Sequence, residues 1–143
     1  MRHDLVVSKS VSINASATHL WRVLTIPSLI REYLYDTETT TDWQVGSPVS
    51  FQGTYQGQTY RDKGVVIANV PANLLSYRYW SGFSGLADLP ENYVLVTYSL
   101  AAVHSQQTTL TWTQQGFATE EGYQHSEQGL AAFLQQIKHL AER

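Results

Sequence analysis

The stretch "HSEQGLAAFLQQIKHL", His125–Leu140, carries one apolar stripe when read at 3.6 residues per turn. From Glu120 onward, Tyr123, Leu130, Leu134, Ile137 and Ala141 fall within a narrow arc. Phe133 and Ser126 flank that arc on one side and Glu127 flanks it on the other. His125, Gln128, Gln135 and His139 point away. Glu120 and Glu121 near the start, and Lys138 and Arg143 near the end, complement the helix dipole. A long helix with a single stripe needs one apolar surface to lie on.

The segments upstream supply that surface. Leu5–Ile13, "LVVSKSVSI", is β-branched and reads as a strand. Ser16 then caps a short helix with Leu20, Trp21 and Leu24 on one face, and Pro27 opens a second, Pro27–Leu34. "TETTTDW", Thr37–Trp43, is strand-like. Val49, Phe51, Gly53 and Tyr55 alternate on one face of the next strand. Gln56–Gly57 is a hairpin turn, and a further strand runs from about Gln58 to Asn69. Leu74–Trp80 groups Leu75, Tyr77 and Tyr79; Tyr93–Leu100 groups Val94, Val96, Tyr98 and Leu100; "TTLTWTQ" groups Leu110 and Trp112. Short turns between successive strands favour an antiparallel meander with one wet, threonine-rich face. The expected fold is therefore α+β: a curved antiparallel sheet of about six to seven strands wrapped on the C-terminal helix, with residues 1–143 as one domain.

Composition excludes several functions. Charged residues make up 15% and the formal charge is −3, with no basic stripe, so nucleic-acid binding is not expected. No apolar stretch approaches membrane-spanning length, and "MRHDLVVSKS" lacks the pattern of a signal peptide. The resulting expectation is a soluble cytoplasmic protein, monomer or homodimer. The absence of cysteine removes thiolate ligands and nucleophiles. His3, His19, His104, His125 and His139 show no metal-ligating spacing, so no metal is expected. No Walker A, no G-x-G-x-x-G and no G-x-S-x-G is present, and no cofactor is expected.

Several strings together resemble the SRPBCC (START-like, Bet v 1-like) superfamily, and within it the family named after the activator of Hsp90 ATPase. They are "INASATHLWRVLTIPSLIREYL", "DWQVGSP", "KGVVIANVPANLLSYRYW", "LPENYVLVTYSL", "TTLTWTQ" and "HSEQGLAAFLQQIKHL", which span almost the whole chain. The chain departs from the family pattern at Tyr33 and Leu130, where Trp is usual, and at Ile26, where an Asp cap is common. The resemblance implies a helix-grip fold and, from the wider superfamily, binding of hydrophobic small molecules, with some members acting as cyclases. The family name implies chaperone activation.

The residues themselves point to a ring-lined interior. Phe51, Tyr77, Tyr79, Tyr98 and Trp112 share the inward phase of four strands, and Tyr123, Leu130, Phe133 and Leu134 face them from the helix. Such a set either fills a core or lines a pocket for a small hydrophobic or aromatic molecule. The long loop Ser81–Tyr93 carries Phe83, Leu86 and Leu89, which make it a candidate lid over the pocket mouth. An enzyme of the cyclase or hydratase kind needs a carboxylate or a histidine in the same space, and Glu127 is the weak candidate. A filled interior with an exposed apolar patch would instead mark a protein-interaction or co-chaperone-like module.

Overall fold

The computed structural model describes all 143 residues. Seven strands form one antiparallel sheet in the order β1-β7-β6-β5-β4-β3-β2. They are β1 (Arg2–Ile13), β2 (Glu38–Thr40), β3 (Pro48–Tyr55), β4 (Gln58–Val70), β5 (Leu74–Trp80), β6 (Val94–His104) and β7 (Gln107–Phe117). Two short helices, α1 (Ala17–Thr25) and α2 (Pro27–Tyr33), follow β1, and α3 (Glu120–Glu142) closes the chain. This is the helix-grip arrangement expected from the strand count and the single stripe of the last helix.

Local chemistry sets the boundaries. Ser16 caps α1, its hydroxyl accepting from the His19 amide at 3.1 Å. Ile26 provides no side-chain cap for α2, so Pro27 alone defines that start. Thr119 caps α3 through the Gly122 amide. The strand expected over Thr37–Trp43 is shorter than its composition indicates, pairing with β3 only over Glu38–Thr40. Trp43 takes a left-handed backbone, φ 61°, and its indole N–H donates to the Thr25 carbonyl at 2.9 Å. Anchoring the ring to the end of α1 peels this segment off the sheet.

The turn at Gln56–Gly57 has positive φ at both central residues, as a two-residue hairpin requires. It locks the β3–β4 register so that Phe51 stands opposite Asp62 and Gly53 opposite Tyr60. On β4, Gly64 is held by close approach to β5. A Cβ there would lie 1.9 Å from the Arg78 carbonyl oxygen.

α3 lies across β1 and β7 and against α1 and α2. Its second half is sealed: Leu134, Ile137 and Ala141 pack with Leu20, Val23, Leu24, Ile13 and Leu110 in the core. Burying a side chain such as Ile137 contributes roughly 1.5–3 kcal/mol. Its first half is less covered: Leu130 is the one buried side chain there, against Leu134, Ile137 and Ala141 in the second.

Candidate functional site

The gap between the first half of α3 and the concave face of the sheet is a cavity of about 910 Å³. Twelve of its 16 lining residues are hydrophobic. A second lobe of about 680 Å³ runs along the start of α3. The lobes share Tyr35, Tyr79, Phe83, Trp112, His125 and Phe133, so they are two ends of one cleft. Each falls in the range typical of small-molecule sites.

The strand alternation delivers the rings. Phe51 (β3), Tyr77 and Tyr79 (β5), Tyr98 (β6) and Trp112 (β7) all line the first lobe, with Phe133 opposite them on α3. The Phe51 and Tyr77 ring centroids are 5.3 Å apart, those of Tyr77 and Tyr79 6.1 Å, and those of Trp112 and Phe133 5.9 Å. These are ordinary aromatic-pair separations, so the rings form a self-supporting wall. Leu130 lines the second lobe. It is itself buried, so it belongs both to the core and to the edge of that lobe.

Burial raises the phenols of Tyr77 and Tyr79 above the usual tyrosine range. Burial also pushes Tyr98 up, to about 12, although the neighbouring hydroxyls of Tyr77 and Tyr33 and the Trp112 indole favour its ionised form and hold it back. All three are neutral hydrogen-bonding groups at physiological pH. Tyr33 sits behind the wall, its hydroxyl donating to the Leu24 carbonyl at 3.0 Å.

The remaining expected residues are placed differently. Leu134 is fully buried in the sealed half of the core and lines neither lobe. Tyr123 also lies off the cleft, its ring edge-on to Phe117 at 5.5 Å. Glu127 is exposed and lies outside both lobes. One step along α3 rotates a side chain by about 100°, which carries Glu127 off the face that presents Ser126 and Leu130.

The Ser81–Tyr93 loop splits in two. Phe83, on a 3-10 turn at Gly82–Ser84, lies over the cleft against Tyr55 and Tyr60, with centroids 6.1 and 5.6 Å away. It is 54% exposed. Leu86 and Leu89 line neither lobe, which leaves Phe83 as the one of the three expected apolar loop residues that borders the cleft. Trp80 donates its indole N–H to the Leu86 carbonyl, and Asp88 pairs with Lys63 and accepts from the Tyr93 hydroxyl at 2.6 Å. Lys63 projects from the convex face, so this pairing draws the second half of the loop away from the mouth.

Of the cleft residues outside the expected set, three bear most on its chemistry and access. Tyr35 stands at the mouth with a left-handed backbone, φ 51°. His125 was expected to point away, yet it lines both lobes, because an open cleft reaches residues beyond the packed arc of the helix. Asp62 is the third. It is the sole carboxylate lining the larger lobe, and burial raises it above its ordinary value against the opposing pull of a Ser81 hydrogen bond. Its Oδ1 is shut off from solvent with no hydrogen-bond partner. The hairpin register was the available signal: a two-residue turn at Gln56–Gly57 pairs Asp62 with the inward Phe51.

The convex face carries a wider, polar concavity lined by Arg61, Lys63, Arg78 and Asp88, with three apolar residues among 15. No three His, Asp or Glu side chains converge in a metal-binding arrangement. No helix is long and apolar enough to cross a membrane.

A family model described as "Activator of Hsp90 ATPase homolog 1-like protein" matches residues 14–142. No curated protein matches the chain. Among solved structures, ChR145 from Cytophaga hutchinsonii is similar at 33% identity, with 96% of this chain and 94% of that one covered and a TM-score of 0.81. Protein MLL2253 from Mesorhizobium loti aligns at 26% identity over 94% and 95% of the two chains, with a TM-score of 0.74. The Aha1 dimer from Colwellia psychrerythraea shares the fold at 18% identity, 96% coverage of both chains and a TM-score of 0.72.

Proposed function

The chain belongs to the activator of Hsp90 ATPase homolog 1-like family, and from that premise we propose that it binds a small hydrophobic or aromatic molecule in the cleft between the sheet and α3. The observation that carries this reading is the two-lobed cleft walled by Tyr77, Tyr79, Tyr98, Trp112 and Phe133. A chain that only needed stability would bring α3 down onto the sheet along its whole length, since open space beside rings forfeits dispersion contacts. The phenols orient a guest by hydrogen bonding while the ring faces bury its body.

The test uses the indole N–H signals of the four tryptophans in a two-dimensional NMR spectrum. Pools of aromatic, sterol-like and fatty-acid ligands are titrated, with signals assigned by single Trp→Phe variants. Saturable shifts at Trp112, which lines both lobes, support the pocket. No specific shift from any pool sinks it and redirects attention to protein partners.

An acid–base enzyme using the same cleft is the second reading, and Asp62 rather than Glu127 is the observation that favours it. An Asp62→Asn variant that retains a substrate and stops its turnover would identify the enzyme. Equal turnover in the two proteins would discard Asp62 as the base.

A further inference from the structure

Asp62 is a misfit in the wall it occupies. It stands opposite Phe51 on the concave face, in the same lobe as Tyr60, Tyr77, Tyr79 and Phe83. Burying a carboxylate beside rings is costly unless a charge or donors compensate it. The side chain is half-buried, the Ser81 hydroxyl is the one donor near the carboxyl, and the enclosed Oδ1 has no hydrogen-bond partner. The nearest cation in sequence, Lys63, is committed to Asp88 on the opposite face of the sheet. Arg61 likewise points outward and lines the convex concavity. Alternation along β4 therefore puts every basic side chain of this strand outside and its acid inside.

We propose that the guest of this cleft is an amphiphilic amine: an aromatic or aliphatic body carrying one protonated nitrogen, which sits beside Asp62. The inference rests on the pocket reading above and names its ligand class. Two features select a cation over a neutral hydroxyl compound. A hydroxyl donor satisfies one carboxylate oxygen at most, whereas a positive charge compensates both, including the enclosed Oδ1. The surrounding rings add a second attraction, because their faces carry negative quadrupole charge that draws ammonium groups. A carboxylate guest meets the opposite situation, with like charge in a poorly solvated wall.

The experiment compares three probes of the same shape by calorimetric titration at neutral pH: naphthylmethylamine, naphthylmethanol and methylnaphthalene. The amine is expected to bind the wild-type protein roughly tenfold more tightly than the alcohol or the hydrocarbon. Asp62→Asn, which keeps the shape of the side chain, is expected to remove that preference while leaving affinity for the hydrocarbon unchanged. Asp62→Ser provides the same comparison with a smaller neutral group. Binding of alcohol and hydrocarbon without any advantage for the amine overturns the proposal and leaves the pocket standing. An amine preference that survives both substitutions also overturns it. Failure of all three probes, together with unshifted Trp112 signals, removes the pocket and this inference with it.

Discussion

The two halves of α3 lie on the same sheet and do different work. Along the second half, Leu134, Ile137 and Ala141 are sealed against α1 and the sheet. From the start of the helix to its middle, His125, Leu130 and Phe133 border open space, and of the rings across from them Trp112 packs on Phe133 while Tyr77 and Tyr79 pack on each other. One continuous stripe in the sequence thus serves as a core at one end and as a wall at the other. The side chains differ along the way: Ile13, Leu20 and Leu110 share the core with the second half, and Tyr77, Tyr79 and Trp112 wall the cleft.

The comparison breaks most severely if the sealed half is opened. Ile137→Ala is expected to cost about 2–5 kcal/mol in urea unfolding, because the site is fully buried and closely packed. Phe133→Ala, bordering the cleft, is expected to cost clearly less than a core Phe usually does, since part of its contact surface is already open. Equal losses at both positions would show that the halves are energetically alike.

A second probe is alkaline titration. Tyr98 holds its proton up to about 12 when folded, against 10.0 when unperturbed. Below pH 10 both states are protonated and its contribution is complete. As pH climbs from 10 towards 12 the unfolded chain ionises first, so stability declines across that window. Tyr98→Phe is expected to flatten the decline, measured as Tm against pH.

Asp62 acts in the carboxylate range. Its folded value is raised by burial, so the folded state holds the proton more firmly than the unfolded chain does. Its favourable share is present below the unperturbed value of 3.8 and is lost as pH rises through the raised value. Asp62→Asn is expected to stabilise the ligand-free protein at neutral pH by about 1 kcal/mol, towards the low end of the cost of an unpaired buried polar group, and to give no gain at pH 3. A gain of equal size at both pH values would detach the effect from charge.

The smallest effects sit at the mouth. Phe83→Ala is expected to change unfolding free energy by less than about 1 kcal/mol, given its exposure, and to speed release of any probe that shifts Trp112. Leu86→Ala is expected to leave release unchanged, because Leu86 lies outside the cleft. Equal acceleration by both would restore the whole loop as a lid.

Much of this architecture was legible in sequence, because alternation and helical period report directly on which face is buried. Phe51, Tyr77, Tyr79, Tyr98 and Trp112 needed nothing more. Leu134 and Tyr123 share the stripe of α3 but miss the cleft, since periodicity reports that a side chain turns inward and says nothing of how close the opposing wall stands. The loop misled for a different reason: apolar content marked Phe83, Leu86 and Leu89 alike, while the Lys63–Asp88 pair divides them. Asp62 escaped because a carboxylate gives no apolar signal, although the hairpin register placed it beside Phe51.

Gly64 gives this register a longer reach. In a slipped β4, Arg61 and Lys63 would turn towards the rings, and Val65 and Ile67 would still supply an apolar inner end. The strand's own pattern offers little resistance to that exchange. The Arg78 carbonyl does resist it, because it admits no side chain at the place Gly64 occupies. One hydrogen atom in place of a methyl group thus seconds the Gln56–Gly57 turn in keeping Asp62 on the ring side, and a lineage or a designer seeking to invert the charge of the chamber by a register slip would have to relocate that glycine as well as the turn.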